Sequence, residues 1–174
     1  MFIPKLDQSY FELFEFEESF SVESSLLDER FRELQKNFHP DRFANGTDRE
    51  KRASVQFSSL LNEAYQTLKH TLPRALYLLQ LKDFDVEKYA RKNTDAEFLM
   101  QQIEMRERLE DIATDEKQLN QFLNQLMKQY RNTVSSLSAY FEVYDWEEAA
   151  VETVKLQFLD KVRLEVEELE AELD

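Results

Sequence analysis

The residues in this chain best suited to chemistry are His39 and Asp41, an imidazole and a carboxylate on either side of Pro40. An imidazole titrates near neutral pH and a neighbouring carboxylate can orient it, so the pair is a candidate for acid–base work. Such work needs a pocket, and a three-residue exposed turn offers none. The plainer reading is a helix terminator, with Pro40 stopping the helix and Asp41 bonding nearby amides. His70 is the second histidine, best read as a surface or helix-end residue, and there is no Cys. Thiolate metal sites, disulfides, cysteine nucleophiles and Cys-held iron–sulfur clusters are thereby excluded. Two histidines alone make no convincing metal site, so neither a metal nor a cofactor is expected. With one glycine, Gly46, phosphate-cradling loops and dinucleotide fingerprints are excluded too.

The same scarcity of glycine argues against sandwiches, barrels and doubly wound sheets, and the expected class is all-α. Leu27, Phe31, Leu34 and Phe38 recur at spacings of a helix face, after a start signal at Ser24-Ser25. Pro40 ends that helix, and residues 39–47 are expected to be a loop with Asn45-Gly46 as its turn. Asp48 is expected to cap the next helix, whose buried stripe is Ala53, Phe57, Leu60, Leu61, Ala64 and Leu68. The two helices predict an antiparallel hairpin carrying His39, Pro40 and Asp41 at its tip. Tyr10 to Phe16 predicts a short first helix, and Pro73 fits the first turn of another running to about Leu81. Residues 83–93 are polar and mixed and read as a connector. Thr94 or Asp95 is expected to cap a helix to about Ala113. A long helix follows with Leu119, Phe122, Leu123, Leu126, Tyr130, Val134 and Leu137 on one face, and Asp145 caps the last helix from Trp146. The expected architecture is an amino-terminal helical domain over 1–82, a connector over 83–93 and a three-helix bundle over 94–174.

Charge divides in the same place. The chain carries net −14, of which residues 1–92 contribute −2 (14 basic, 16 acidic) and the remainder −12 (8 basic, 20 acidic). Such acidity repels a nucleic-acid backbone and suggests two units with different partners. There is no run of 18 apolar residues to cross a bilayer, so no membrane partner is expected. The opening Met1-Phe2-Ile3-Pro4-Lys5 lacks the pattern of a signal peptide, so a cytoplasmic location is expected and the Asn45-Gly46-Thr47 sequon has no glycosylation to receive.

The helix over 95–113 is apolar on two sides. Phe98, Met105, Leu109 and Ile112 make a core stripe. At about 100° per residue, Leu99, Ile103 and Met100 project roughly 100° to 200° away from Phe98, with Glu104 and Glu107 beside them. A two-sided helix is either sandwiched in a core or presents a binding patch, and periodicity alone leaves both open.

The segment Phe31-Arg32-Glu33-Leu34-Gln35-Lys36-Asn37-Phe38, leading into His39-Pro40-Asp41-Arg42-Phe43, resembles the J domain of DnaJ-class co-chaperones. Leu61-Asn62-Glu63-Ala64-Tyr65-Gln66-Thr67-Leu68 is similar to that family's N-x-A-Y-x-x-L signature, and Phe38 stands where Tyr is usual. The resemblance implies docking onto a heat-shock-protein-70-type ATPase, with His39, Pro40 and Asp41 as trigger and Arg32, Lys36 and Arg42 as supporting positive charge.

Arg74-Ala75-Leu76-Tyr77-Leu78-Leu79, the run from Phe98 to Glu107, and Leu156-Gln157-Phe158-Leu159-Asp160-Lys161 resemble the HscB family, J-proteins of iron–sulfur cluster assembly. Ile103 and Gln157 depart from its motifs; Ile103 keeps an apolar contact, whereas Gln157 removes a positive charge. This resemblance implies a co-chaperone with no catalytic residues of its own. It implies two protein partners, an HscA-like chaperone and an IscU-like scaffold, the latter held by Leu99, Met100, Ile103, Glu104, Glu107 and Phe158. Periodicity does not single out Phe158, which reads equally as core. Two other classes are a general J-domain co-chaperone for unfolded clients, disfavoured by the lack of Gly/Phe-rich or zinc-binding segments, and a hydrolase using His39 and Asp41.

Overall fold

The computed structural model describes residues 8–93 and 96–173. Among them every regular element is helical: α1 (Tyr10–Leu13), α2 (Ser24–Phe38), α3 (Asp48–Lys69), α4 (Thr71–Leu81), α5 (Val86–Asn93), α6 (Ala96–Ile112), α7 (Glu116–Glu142) and α8 (Trp146–Leu173), with one 3₁₀ turn at Pro40–Phe43. Two compact units emerge, Met1–Leu78 and Leu79–Asp174, and the division falls within α4. No described helix is long and apolar enough to cross a membrane.

In the first unit, α2 and α3 form the expected hairpin. Leu27, Phe57, Leu61, Ala64 and Leu68 are buried along the seam. Phe31 stacks on Tyr65 with 4.0 Å between ring centroids, and Phe38 tilts onto Phe57 at 4.6 Å. The base of the hairpin, away from its tip, is closed by polar contacts: Tyr65 Oη and Lys69 Nζ donate to Asp28 Oδ1 at 2.8 and 2.9 Å. The short helix α1 packs on α3, burying Phe11 and Phe14. Tyr10 Oη donates to Glu63 at 2.9 Å; burial and that carboxylate push the Tyr10 phenol up to about 12.

Two helix starts differ from expectation. α3 is capped by Thr47, not Asp48: Glu50 N–H donates to Thr47 Oγ1 at 3.3 Å while Glu50 Oε2 accepts from Thr47 N–H at 2.8 Å, a reciprocal capping box. α2 already includes Ser24 and Ser25, with Glu23 preceding it and no side chain capping its amides. Gly46 is not in the left-handed region. Close approach favours it instead, because a Cβ there would lie 3.0 Å from Glu50 Oε2 and 3.1 Å from the Phe43 carbonyl oxygen. His70 lies at the carboxy-terminal end of α3, within 3.1 Å of Gln66 Oε1.

In the second unit, α6, α7 and α8 share a core of Leu109, Ile112, Leu119, Phe122, Leu126, Leu159, Val162 and Val166. Asp115 caps α7 by accepting from Gln118 N–H at 3.0 Å, and Asp145 caps α8 by accepting from Glu148 N–H at 3.2 Å. Thr94 and Asp95 lie outside the described residues. Much of the segment read as a connector is helix α5, which packs on α8; Asp85 starts it, accepting from Lys88 N–H at 2.9 Å.

Three helices stop in the same way. After α1, α4 and α7 the chain turns through Glu15, Asp83 and Tyr144 at φ 56°, 56° and 59°. Each stop has the paired backbone bonds of a Schellman motif, as in Phe84 N–H to the Leu79 oxygen at 2.9 Å and Asp83 N–H to the Gln80 oxygen at 3.0 Å.

Candidate functional site

The tip of the hairpin presents the first set of residues. His39 ends α2 with an extended backbone, and Pro40 opens the 3₁₀ turn, its ring fixing φ where the chain changes direction. The side chains of His39 and Asp41 are 53 % and 91 % exposed, 3.5 Å apart between Nδ1 and Oδ2. The Asp41 N–H donates to His39 Nδ1 at 3.3 Å, which orients the imidazole and leaves the carboxylate outermost. Phe43 is buried and anchors the far side of the turn. An acid and an imidazole so open to water are poorly placed for acid–base catalysis and well placed to be grasped by another molecule. Arg32 and Lys36, one helical turn apart on α2, are both exposed, as is Arg42. His39, Pro40, Asp41, Arg42 and Lys36 thus lie at the tip of the hairpin, whereas Arg32 sits midway along α2, one turn from Asp28. What the sequence did not disclose is that Arg42 folds back, its Nη1 donating to the Lys36 carbonyl oxygen at 3.2 Å.

The second set lies on α6. Leu99, Met100 and Ile103 are 49 %, 56 % and 51 % exposed, so the second apolar side of this helix is a surface ridge. Glu107 is exposed beside it. The first side is inward: Leu109 and Ile112 are buried, and Phe98 and Met105 half-buried. Glu104 and Phe158 sit differently from the ridge. They line a groove of about 510 Å³ between α6, α7 and α8, together with Phe98, Met105, Arg108 and Lys155. Phe158 is half-buried there, packed against the core and edge-on to Phe98. Sequence reading missed this groove, because its lining comes from three helices that only the fold brings together and no periodicity marks it. Arg108 caps it with a 3.2 Å bond to Gln125 Oε1 and a guanidinium 5.6 Å from the Phe122 ring. Among the described residues no cluster of three or more His, Cys, Asp or Glu is arranged to hold a metal ion.

Residues 94–167 match the model of a family described as the HSCB C-terminal oligomerisation domain. The chain is 44 % identical over 165 residues to the co-chaperone protein HscB homolog of Photobacterium profundum, covering 93 % of this chain and 96 % of that protein. Among solved structures it is similar to the chaperone HscB from Vibrio cholerae, at TM-score 0.86 and 38 % identity, spanning 96 % of this chain and all of the other. The human co-chaperone protein HscB superposes at TM-score 0.89 with 29 % identity, over 94 % of this chain and 83 % of the human one.

Proposed function

The chain belongs to the HscB family of co-chaperones, and on that premise we propose that it couples an IscU-like iron–sulfur scaffold protein to an HscA-like ATPase chaperone of the heat-shock-protein-70 type in the cytoplasm. As a co-chaperone it acts through partners and not as an enzyme.

In this reading the tip of the α2–α3 hairpin engages the chaperone. Asp41 offers a carboxylate that an arginine can clamp with two hydrogen bonds, His39 orients it, and Pro40 keeps the turn rigid. Lys36 and Arg42 at that end, with Arg32 further along the exposed side of α2, supply positive charge that speeds encounter with an acidic surface. The scaffold sits on α6: Leu99, Met100 and Ile103, each already about half buried, cover their remaining apolar area against it, each contributing about 1 kcal/mol. Glu104 and Glu107 set charge preference at the edge, and Phe158 supports the contact from the groove. Joining the two contacts in one chain raises the local concentration of client at the chaperone.

The observation that carries this reading is the ridge of three large apolar side chains, each about half exposed, on a helix whose other side is already satisfied by a core. Such a ridge fits one folded partner. The test is phosphate release by the purified chaperone, titrated with the full chain with and without the scaffold. Stimulation that rises further with scaffold present is expected. No stimulation at any concentration overturns the reading, and stimulation by unfolded clients with no response to the scaffold replaces it with a general co-chaperone.

A further inference from the structure

A helix that runs into Pro40 leaves its last carbonyls without partners, since those groups have no intrahelical donor and proline has no N–H to offer. At the end of α2 two side chains from outside the helix supply donors. Arg42 Nη1 reaches back to the Lys36 oxygen at 3.2 Å, and Ser58 Oγ on α3 reaches the Phe38 oxygen at a longer 3.4 Å. Arg42 itself lies within the 3₁₀ turn, one residue past Asp41, and its own N–H donates to the His39 oxygen at 3.0 Å. The residue therefore ties the turn to the preceding helix twice, by backbone and by side chain. A guanidinium also complements the negative end of α2.

The geometry points to Arg42 as a positioning residue: by capping α2 from within the turn it fixes the angle at which His39 and Asp41 leave the hairpin, beyond any charge it offers a partner. Besides this brace the turn is held by its packing on α3 and by the Ala44 N–H bond to the Asp41 oxygen at 3.2 Å. Phe43 is its buried anchor, and Asp41 is almost wholly in solvent. The Asp41 N–H bond to His39 Nδ1 is a second tie within the turn, so the position of the imidazole follows that of the turn. The benefit to the chaperone rests on the function proposed above; the brace itself does not.

The test therefore begins with the free full-length chain. In Arg42→Met, amide exchange at Asp41 and Ala44 should quicken about fivefold, the loss of roughly one net hydrogen bond. His39 ring-nitrogen chemical shifts should move from their wild-type values as the Asp41 N–H contact loosens, while far-UV circular dichroism stays unchanged. Arg42→Lys should restore part of both signals, and Ser58→Ala should shift the same amides in the same direction by less. With the chaperone, half-saturation should rise by no more than the factor seen in exchange while maximal stimulation holds, because the competent fraction falls by less than the open fraction grows. Free-chain amides and ring shifts identical to wild type in Arg42→Met overturn the proposal, and a weaker chaperone response alongside them makes Arg42 a direct contact. Failure of the wild-type chain to stimulate any chaperone overturns the functional reading and leaves the free-chain result to decide the brace.

Discussion

The ring of Phe158 meets that of Phe98 edge to face, with 6.0 Å between centroids and 84° between planes. The contact joins α8 to the first turn of α6, the turn that also carries Leu99 and Met100. Phe158 therefore shapes the ridge without belonging to it, which separates two kinds of substitution.

Replacing Leu99, Met100 and Ile103 together with Ala removes only half-exposed side chains. Scaffold affinity should fall by tenfold or more, while the melting temperature moves by about 2 °C or less. Phe158→Ala should lower both, because its ring also packs on the core. Isothermal titration and thermal denaturation on the same samples distinguish the two; a large drop in melting temperature for the triple variant would return the ridge to the core.

His39→Ala and Asp41→Ala, taken singly, should each abolish stimulation of the chaperone with helicity unchanged. Both side chains are mostly in solvent, so their removal leaves no buried group unpaired. Loss of helical circular dichroism would show the turn to be structural.

Reversal of charge at Arg32 and Lys36 should slow association with the chaperone most at low ionic strength. Such contacts act over about 10 Å at 0.1 M salt and are screened beyond it. Stopped-flow association across a salt series measures this, and rates independent of salt would leave the two residues as ordinary surface.

Hydrogen bonds from Lys69 and Tyr65 hold the Asp28 carboxyl below the usual carboxylate range. Its folded value is thus lower than its unfolded one. The stabilisation is present above about pH 4 and fades as pH falls through the folded value. Urea midpoints should drop on acidification, and Asp28→Asn should flatten that dependence; equal slopes for both proteins would remove Asp28 from the account.

Gly46→Ala should destabilise the chain by about 0.5–2 kcal/mol, the worth of a helix cap, because the added Cβ crowds the Glu50 carboxylate of the capping box. Gly46→Asn should do no better, since the position does not require a left-handed backbone. Denaturant melts of the two variants check this, and rescue by Asn would restore a turn-geometry explanation.

The hairpin, its tip and the three long helices were legible because each rests on a strong local signal: apolar spacing from Leu27 to Phe38, a proline at 40, and Asp145 ahead of Trp146. Helix α5 was not, since its apolar Val86 and Tyr89 stand among charged residues and leave only a short stripe. Asp85 three residues before Lys88 was the available clue. The cap at Thr47 was misplaced by one residue because Asp48 is an equally good cap by type, and only the Glu50 reciprocal bond decides between them. On α6 the angular pattern separated Leu99, Met100 and Ile103 from the core stripe, but their exposure depends on which helices arrive on that side. The fold-back of Arg42 and the groove beside Phe158 are tertiary facts with no counterpart in spacing.

The three Schellman stops have a consequence for how this chain tolerates heat and change. Where glycine would ordinarily sit, Glu15, Asp83 and Tyr144 hold left-handed backbone at a cost of about 1 kcal/mol each. The strain is stored at corners made by none of the tip or ridge residues, so an engineer seeking a hardier variant has slack to recover without altering either set.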